Sequence, residues 1–226
     1  MEAHHKRFTL QTFRTQNYIQ AQEACEYSYK NKRASLIMGE RGFGRTKAVE
    51  TFAAKRSGVV LCRTHHARGA RLFFEICLAI DTRFNGPFIK SYCHDYEKHI
   101  VSCLKNPDSN TRLLILDDFA IKEWELLTPI MKSLNNIGWV IVTTHDEVQY
   151  QTVLRDDFRE VFLKRMFNIN QLSKPSMAEI KAIATSKGVT DFKQLIGANS
   201  FLDLKIKLKS LWEANHKSIE TKNAEL

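Results

Sequence analysis

The sequence contains no long apolar run. None of its 226 residues belongs to a stretch that could fill the roughly 20 positions of a membrane-spanning helix. Residues 1–10 lack the apolar centre of a secretory signal, and the chain shows no internal repeat or low-complexity tract. We therefore expect a cytoplasmic globular protein that makes no membrane contact.

Cysteine is scarce and irregularly spaced. The cysteines are odd in number and scattered, which argues against a disulfide framework: Cys25, Cys62, Cys77, Cys93 and Cys103. Cys62 lies shortly before His65 and His66, and Cys93 is followed by His94. No second C-x-x-C or H-x₃-H pair supplies the remaining ligands of a zinc site. We therefore expect neither structural disulfides nor zinc.

Negative charge is in deficit. The chain has 34 Lys and Arg against 25 Asp and Glu, a net charge of +9, and a pI near 9.3. Such an excess attracts phosphate backbones through counterion release, or anionic membranes. No basic, aromatic-rich amphipathic helix stands out, so nucleic acid is the favoured partner. Solubility alone is the alternative explanation of the charge.

The apolar residues are grouped in short runs that alternate with helical patterns. The runs are nearly continuous, as in parallel strands covered on both faces, and occupy Ala34–Met38 and residues 59–62, 113–116 and 139–142. Helices are predicted at residues 46–55, 71–80, 95–104 and 123–134, and a fifth strand, with poor periodicity, within 161–169. This alternation predicts an α/β fold, a three-layer αβα sandwich around a parallel central sheet.

The pattern changes after Lys174-Pro175-Ser176. Ser176 is suited to cap a helix at residues 177–187, which Gly188 would end. Two further helices are predicted at 190–196 and 200–213. We therefore expect an αβα domain at residues 1–172 and a small helical domain at 173–226 that ends in a polar tail.

The first predicted strand is followed by a glycine-rich loop and then a helix. The loop matches G-x-x-x-x-G-K-[ST] except at Arg45, where lysine is expected. Its glycines allow backbone N–H groups to surround phosphates, and the helix N-terminus adds partial positive charge. This P-loop predicts an ATP site formed by Gly39, Glu40, Arg41, Gly42, Phe43, Gly44, Arg45, Thr46 and Lys47.

Two carboxylates follow the strand at residues 113–116. Asp117 is positioned to bind Mg²⁺ together with the hydroxyl of Thr46. Asp118 stands where a glutamate usually orients the attacking water, and its side chain is one methylene shorter. Arg45 is a bulkier, planar cation than the lysine that it replaces. We therefore expect ATP and Mg²⁺ to bind, and hydrolysis to be slow.

Taken in order, these motifs resemble the MuB-type AAA+ transposition regulators and the related TnsC and IstB group. The resemblance covers about residues 7–213 and includes residues 39–46, 113–118, 138–145 and 162–165. Residues 178–184, followed by Gly188-Val189, are similar to the lid of that family. The resemblance implies ATP-dependent self-assembly on double-stranded DNA, often as a helical filament, and recruitment or stimulation of a transposase.

The resemblance also implies roles for single residues. Thr144, after the strand at 139–142, would sense the γ-phosphate beside the catalytic Asp118. Arg165 would complete the ATP site of a neighbouring subunit, with Arg159 and Lys164 as alternatives. Lys205 is near, but displaced from, the position where the lid of the family supplies a second sensing arginine.

DNA in such filaments runs along loops that follow the second strand and the next helices. That part of the chain is basic and includes Arg63, Arg68, Arg71, Lys90 and Lys98. Cations of this kind contact phosphates without distinguishing base sequence. A solvated basic loop is the alternative interpretation.

Three functions remain open at this point. The first is an ATPase that coats DNA and selects transposition targets. The second is a helicase loader similar to DnaC or IstB, which acts on a protein partner. The third is a DNA-bound adaptor that binds nucleotide but hydrolyses it poorly, as Arg45 and Asp118 would permit.

Overall fold

The central element of the fold is a five-stranded parallel sheet. The computed structural model describes residues 13–80, 93–106, 109–155, 157–189 and 192–224. Its strands are β1 (Ala34–Met38), β2 (Val59–Arg63), β3 (Leu113–Asp117), β4 (Gly138–Thr143) and β5 (Met166–Gln171). They lie in the order β2-β3-β4-β1-β5, and each neighbouring pair is parallel. The parallel sheet predicted from the sequence is confirmed.

Helices connect the strands and continue beyond the sheet. They are α1 (Gln16–Asn31), α2 (Arg45–Ala54), α3 (Ala70–Ile80), α4 (Cys93–Lys105), α5 (Trp124–Ser133), α6 (His145–Leu154), α7 (Met177–Ser186) and α8 (Phe201–Ala224). The predicted helices of the αβα part agree with α2 to α5 to within one or two residues at each end. Within the described ranges, no helix is long and apolar enough to cross a membrane.

The sheet is covered on both faces. Leu114 and Leu116 belong to a buried cluster with residues of α3, α4 and α5. Leu113 and Ile115 point to the other face and pack with residues of α1 and α2. Successive strand side chains alternate between faces, so apolar residues at every position bury both sides. This is the predicted three-layer arrangement.

The end of α1 lies very close to the start of β4. A Cβ atom on Gly138 would be 2.1 Å from the carbonyl oxygen of Ser28. The hydroxyl of Ser28 also lies 2.7 Å from that of Ser35 in β1. Glycine at position 138 therefore allows α1 to contact the sheet directly.

The helices after Ser176 have their own buried cluster, which includes Ile180, Ile183, Leu195, Leu204 and Leu208. Ser176 caps α7, and its side chain and that of Glu179 form a reciprocal capping box. The helix predicted at 190–196 is wrong, because the described part forms only a 3₁₀ turn at Lys193–Leu195. The last helix is longer than predicted and reaches Ala224 rather than residue 213.

The chain between β4 and β5 departs from the prediction. The sequence analysis missed α6 and placed β5 too early, because residues 158–165 form a π-helical turn and a 3₁₀ turn. Phe158 and Phe162 stack with ring centroids 5.2 Å apart, and both contact Trp124. Burial of these two rings favours helical turns over an extended strand here.

Candidate nucleotide-binding site

The P-loop and Asp117 meet at the carboxyl edge of the sheet. The P-loop begins directly after β1, Asp117 is the last residue of β3, and Thr143 is the last residue of β4. Because parallel strands share a direction, their carboxyl ends open into one crevice, the usual ligand site of such sheets.

Two glycines of the P-loop adopt conformations that other residues rarely tolerate. Gly42 and Gly44 have φ angles of 85° and 88°, in the left-handed region that favours glycine. Gly44 is the N-cap of α2 and has no side chain that could cap the helix. The first amides of α2 are thus available to an anion, which the helix dipole also attracts.

Arg45 is a buried cation with an unused donor. Its exposed fraction is 8%, and its Nη1 atom has no hydrogen-bond partner within the described residues. Burial lowers the pKa of Arg45, and the nearby carboxylates of Asp117 and Asp118 oppose that effect. A buried guanidinium with an open N–H is costly unless an anion accepts from it.

The carboxyl of Asp117 and the hydroxyl of Thr46 lie together and share a hydrogen bond. Asp117 is only 3% exposed. Burial raises the pKa of its carboxyl, while a hydrogen bond with Thr46 and the charge of Arg45 act in the opposite direction. A carboxylate beside a hydroxyl provides the oxygen ligands that Mg²⁺ prefers. The two side chains could therefore bind the Mg²⁺ ion that accompanies a nucleoside triphosphate.

A polar cavity of about 440 Å³ joins these groups. It is lined by Arg41, Gly42, Gly44, Arg45, Thr46, Lys47, Glu50, Arg63, His65, Asp117 and Asp118. Most of the predicted phosphate-binding residues are thus brought together. Gly39, Glu40 and Phe43 instead line a neighbouring cavity beside the end of β5, and Phe43 is buried.

A second, mostly apolar cavity of about 370 Å³ adjoins the first. Both cavities are lined by Gly44 and Lys47, and the second is completed by Phe13, Thr15, Tyr18, Ile183, Phe201, Leu202, Leu204, Lys205 and Leu208. The two spaces together suit a ligand with a charged end and a flat apolar end. Sequence analysis missed this second cavity because its residues come from opposite ends of the chain.

Asp118 belongs to a network that the sequence did not reveal. Its Oδ1 atom lies 3.1 Å from Nε2 of His66, and Nδ1 of His66 lies 3.2 Å from Oε1 of Glu147. The other carboxylate oxygen of Glu147 accepts hydrogen bonds from the Thr143 hydroxyl and the Ile121 amide. Glu147 lies on α6, so the unpredicted helix contributes a functional candidate.

Thr144 caps α6. Its hydroxyl accepts a hydrogen bond from the amide of Glu147, and Thr144 is not among the residues that line the polar cavity. The adjacent Thr143 is fully buried, and its hydroxyl lies within hydrogen-bond distance of both the Phe119 carbonyl and the Glu147 carboxylate. The sensing role of Thr144 stays a prediction.

Arg165 lies at the amino-terminal end of the strands, whereas the P-loop lies at their carboxyl end. It precedes Met166, which pairs with Ala34 at the start of β1, about 15 Å from the carboxyl end of a five-residue strand. Its Nε donates to the Val161 carbonyl. Lys164 pairs with Glu160, and Arg159 is exposed. Arg165 therefore cannot reach the P-loop of its own chain.

The predicted DNA contacts differ in their surroundings. Arg68 and Lys98 are exposed. Arg71 is exposed too, and pairs with Glu75 while its guanidinium lies over the Phe74 ring. Arg63 pairs with Glu50 and lines the polar cavity. Lys90 lies outside the described residues.

Comparison with known proteins gives similarity at the level of structure. No protein-family model and no curated protein sequence matches the chain. The fold is similar to the Aeropyrum pernix ORC2 protein, solved as ADPNP–ADP complexes (TM-score 0.59, 13% identity), with 96% of this chain and 66% of that one covered.

Two further structures are similar. One is the Walker-type ATPase PABY2304 of Pyrococcus abyssi, with a TM-score of 0.57, 11% identity, and coverage of 94% of this chain and 74% of the other. The other is the replication initiator DnaA bound to AMPPCP and single-stranded DNA, with a TM-score of 0.55, 15% identity, and coverage of 96% and 67%. The chain has the αβα fold of the AAA+ P-loop NTPases.

Proposed function

We propose that this protein is an AAA+ ATP-binding protein of the MuB type, which assembles on double-stranded DNA and recruits or stimulates a transposase. The observation that supports nucleotide binding best is the buried Arg45. Its Nη1 atom has no hydrogen-bond acceptor among the described residues, and Arg45 lies near the Thr46–Asp117 pair. A phosphate group would satisfy this donor. Mg²⁺ would bind the two oxygen ligands.

The two adjoining cavities suit the two ends of ATP. The phosphates would occupy the polar cavity between the P-loop and Asp117, and the base would occupy the apolar cavity near Tyr18 and Phe201. The region from residue 173 onward would act as a lid, because α8 lines the apolar cavity. Lys205, on that helix, would supply the lid with a cation near the phosphates.

Hydrolysis would be slow. Asp118 lines the polar cavity and would orient the attacking water, but its carboxylate is one methylene closer to the backbone than a glutamate carboxylate. Bound Mg²⁺ would neutralise charge on the phosphates. The chain's own contribution is to hold the triphosphate with Arg45 and the water with Asp118.

The proposed partners are double-stranded DNA, further copies of the protein, and a transposase. Arg68, Arg71 and Lys98 are exposed cations that could contact phosphates without reading bases. DnaA, one of the similar structures, is bound to AMPPCP and single-stranded DNA. Arg165 lies on an edge remote from its own P-loop, which suits a contact made in a neighbouring subunit.

Duplex DNA with and without ATP–Mg²⁺ tests the proposal. We expect electron micrographs to show oligomers on DNA in the presence of ATP, and we expect affinity to fall steeply as salt rises, since cation–phosphate contacts release counterions. Replacing Arg68 and Lys98 by Ala should weaken binding equally for unrelated sequences. Affinity for duplex DNA that is insensitive to salt would contradict the proposed contacts.

The same preparation separates the two alternatives. A helicase loader would bind ATP without coating duplex DNA, and an adaptor would coat DNA without releasing phosphate. The adaptor is favoured by one observation, the buried arginine in place of the P-loop lysine. Release of phosphate at a measurable but slow rate supports the ATPase.

A further inference from the structure

Three side chains from separate elements form a continuous chain of contacts beside the polar cavity. Asp118 follows β3, His66 follows β2, and Glu147 lies in the first turn of α6. The imidazole of His66 lies between the two carboxylates, at 3.1 Å from Asp118 and 3.2 Å from Glu147. All three side chains are about one-third exposed, so the network borders solvent without being a loose surface pair.

The backbone around this network is strained. His65, His66 and Asp118 have φ angles of 48°, 55° and 59°. Left-handed conformations of residues other than glycine cost on the order of 1–3 kcal/mol each and persist only where the surroundings impose them. Two of these residues, His66 and Asp118, form the contact itself, so the surrounding structure holds that contact at some cost in local stability.

Hydrogen bonds fasten the two loops to each other. The Thr64 hydroxyl lies 3.0 Å from the Asp117 carbonyl oxygen and 2.8 Å from that of Asp118. The amide of His66 donates to the Asp118 carbonyl at 3.0 Å. His66 therefore has a fixed backbone position relative to Asp118, which keeps its ring within reach of the Asp118 carboxylate.

Glu147 is equally well fixed. Its Oε2 atom accepts from the Thr143 hydroxyl at 3.0 Å and from the Ile121 amide at 3.1 Å. Its own amide donates to Thr144. The carboxylate that holds the far nitrogen of His66 is thus anchored to the end of β4 and to the segment after Asp118.

We propose that His66, held by Glu147, is a positioning residue that orients the carboxylate of Asp118 for hydrolysis. This inference rests on the proposed ATPase function. His66 binds Oδ1 of Asp118, which leaves the second carboxylate oxygen to face the cavity and the attacking water. The arrangement compensates for the short aspartate, because the contact with the imidazole restricts rotation of its carboxylate.

The imidazole can donate to both carboxylates only when it carries a proton on each nitrogen. Glutamine at this position retains a donor group, the side-chain NH₂, whereas alanine retains none. Replacement of His66 by glutamine should therefore weaken the contact with Asp118, and replacement by alanine should remove it. Neither removes a group that lines the polar cavity.

The test measures nucleotide affinity and single-turnover phosphate release in the same full-length variants. The variants are His66→Ala, His66→Gln and Glu147→Gln, with Glu125→Gln as the matched control because Glu125 is an exposed acid that pairs with Arg155 on another surface. A fluorescent ATP analogue reports the dissociation constant, and thermal melting confirms that each variant is folded.

We expect His66→Ala and Glu147→Gln to slow phosphate release by about 10- to 100-fold with little change in ATP affinity, as for other residues that orient a catalytic group. His66→Gln should recover part of the rate, and Glu125→Gln should match the wild type. A rate that is unchanged or increased in His66→Ala would overturn the proposal. Wild-type protein that binds no ATP would instead refute the proposed function.

Discussion

Arg45 offers the most direct perturbation of the proposed nucleotide site. Arg45→Met keeps most of the side-chain volume and removes the charge and its donors. A hydrogen bond between a charged donor and phosphate contributes about 1.5–3 kcal/mol. Since about 1.4 kcal/mol corresponds to a factor of ten, the variant should bind ATP–Mg²⁺ roughly 10- to 100-fold more weakly.

The free protein should respond differently. The substitution relieves an unpaired buried N–H, worth about 1–3 kcal/mol, but it also removes the cation beside Asp117. These effects oppose each other, so the melting temperature without nucleotide should change little. The difference between the variant and the wild type should emerge only when ATP is present.

Thermal melting with and without ATP–Mg²⁺ measures this difference. At a ligand concentration of about 100 times the wild-type Kd, binding stabilises the wild type by about 2.7 kcal/mol. A variant with a 100-fold higher Kd gains only about 0.4 kcal/mol under the same conditions. At about 2–4 °C per kcal/mol, the expected shifts are about 5–10 °C and about 1 °C.

Arg56→Met is the matched control. Arg56 carries the same charge, follows the C-terminal end of α2, and pairs with Glu26. It is separated from Arg45 by the length of a ten-residue helix, about 15 Å. Its variant should keep the full ATP-dependent shift. If Arg45→Met kept that shift too, the guanidinium would not be a phosphate ligand, and the reasoning from its unpaired donor would be wrong.

Three further outcomes are expected. Arg165→Ala should keep ATP binding but lose ATP-dependent oligomers in sedimentation, because Arg165 lies far from its own P-loop; normal assembly would exclude the role in a neighbouring subunit. Gly138→Ala should lower the free energy of unfolding in urea by about 2–3 kcal/mol, since its Cβ would overlap the Ser28 carbonyl; an unchanged midpoint would contradict this close contact. Burial raises the pKa of Cys62 to about 12, so this thiol should react with a disulfide reagent at pH 8 only after unfolding, and rapid labelling in the native protein would show otherwise.

The sheet and the position of the P-loop were predictable because their signals are local. Continuous apolar runs identify buried parallel strands. The glycines of the P-loop, Arg45 and Thr46 all lie within one short loop, residues 39–46. Asp117 follows from the carboxyl end of β3, which opens on the same side of the sheet as that of β1. These features depend on spacing along the sequence, which is visible without the fold.

The features that were missed depend on contacts between distant segments. Tyr18 and Phe201 line one apolar cavity although 183 positions in the sequence separate them. His66 and Glu147 meet at Asp118 only because the strand order places β3 between β2 and β4. The helix α6 has no clear apolar face, since Tyr150, Val153 and Leu154 are exposed. Periodicity could not identify such a helix.

The C-terminal helices are attached to the P-loop itself. The amide of Phe201, at the start of α8, donates to the carbonyl of Gly42 at 3.0 Å. A Cβ on Gly42 would lie 2.8 Å from the Ser200 hydroxyl and 2.9 Å from Leu202. Any rotation of α8 must therefore break the hydrogen bond between Phe201 and Gly42 or move the P-loop together with the helix. Substitutions along α8, remote from any phosphate, should for this reason change how fast a bound nucleotide leaves.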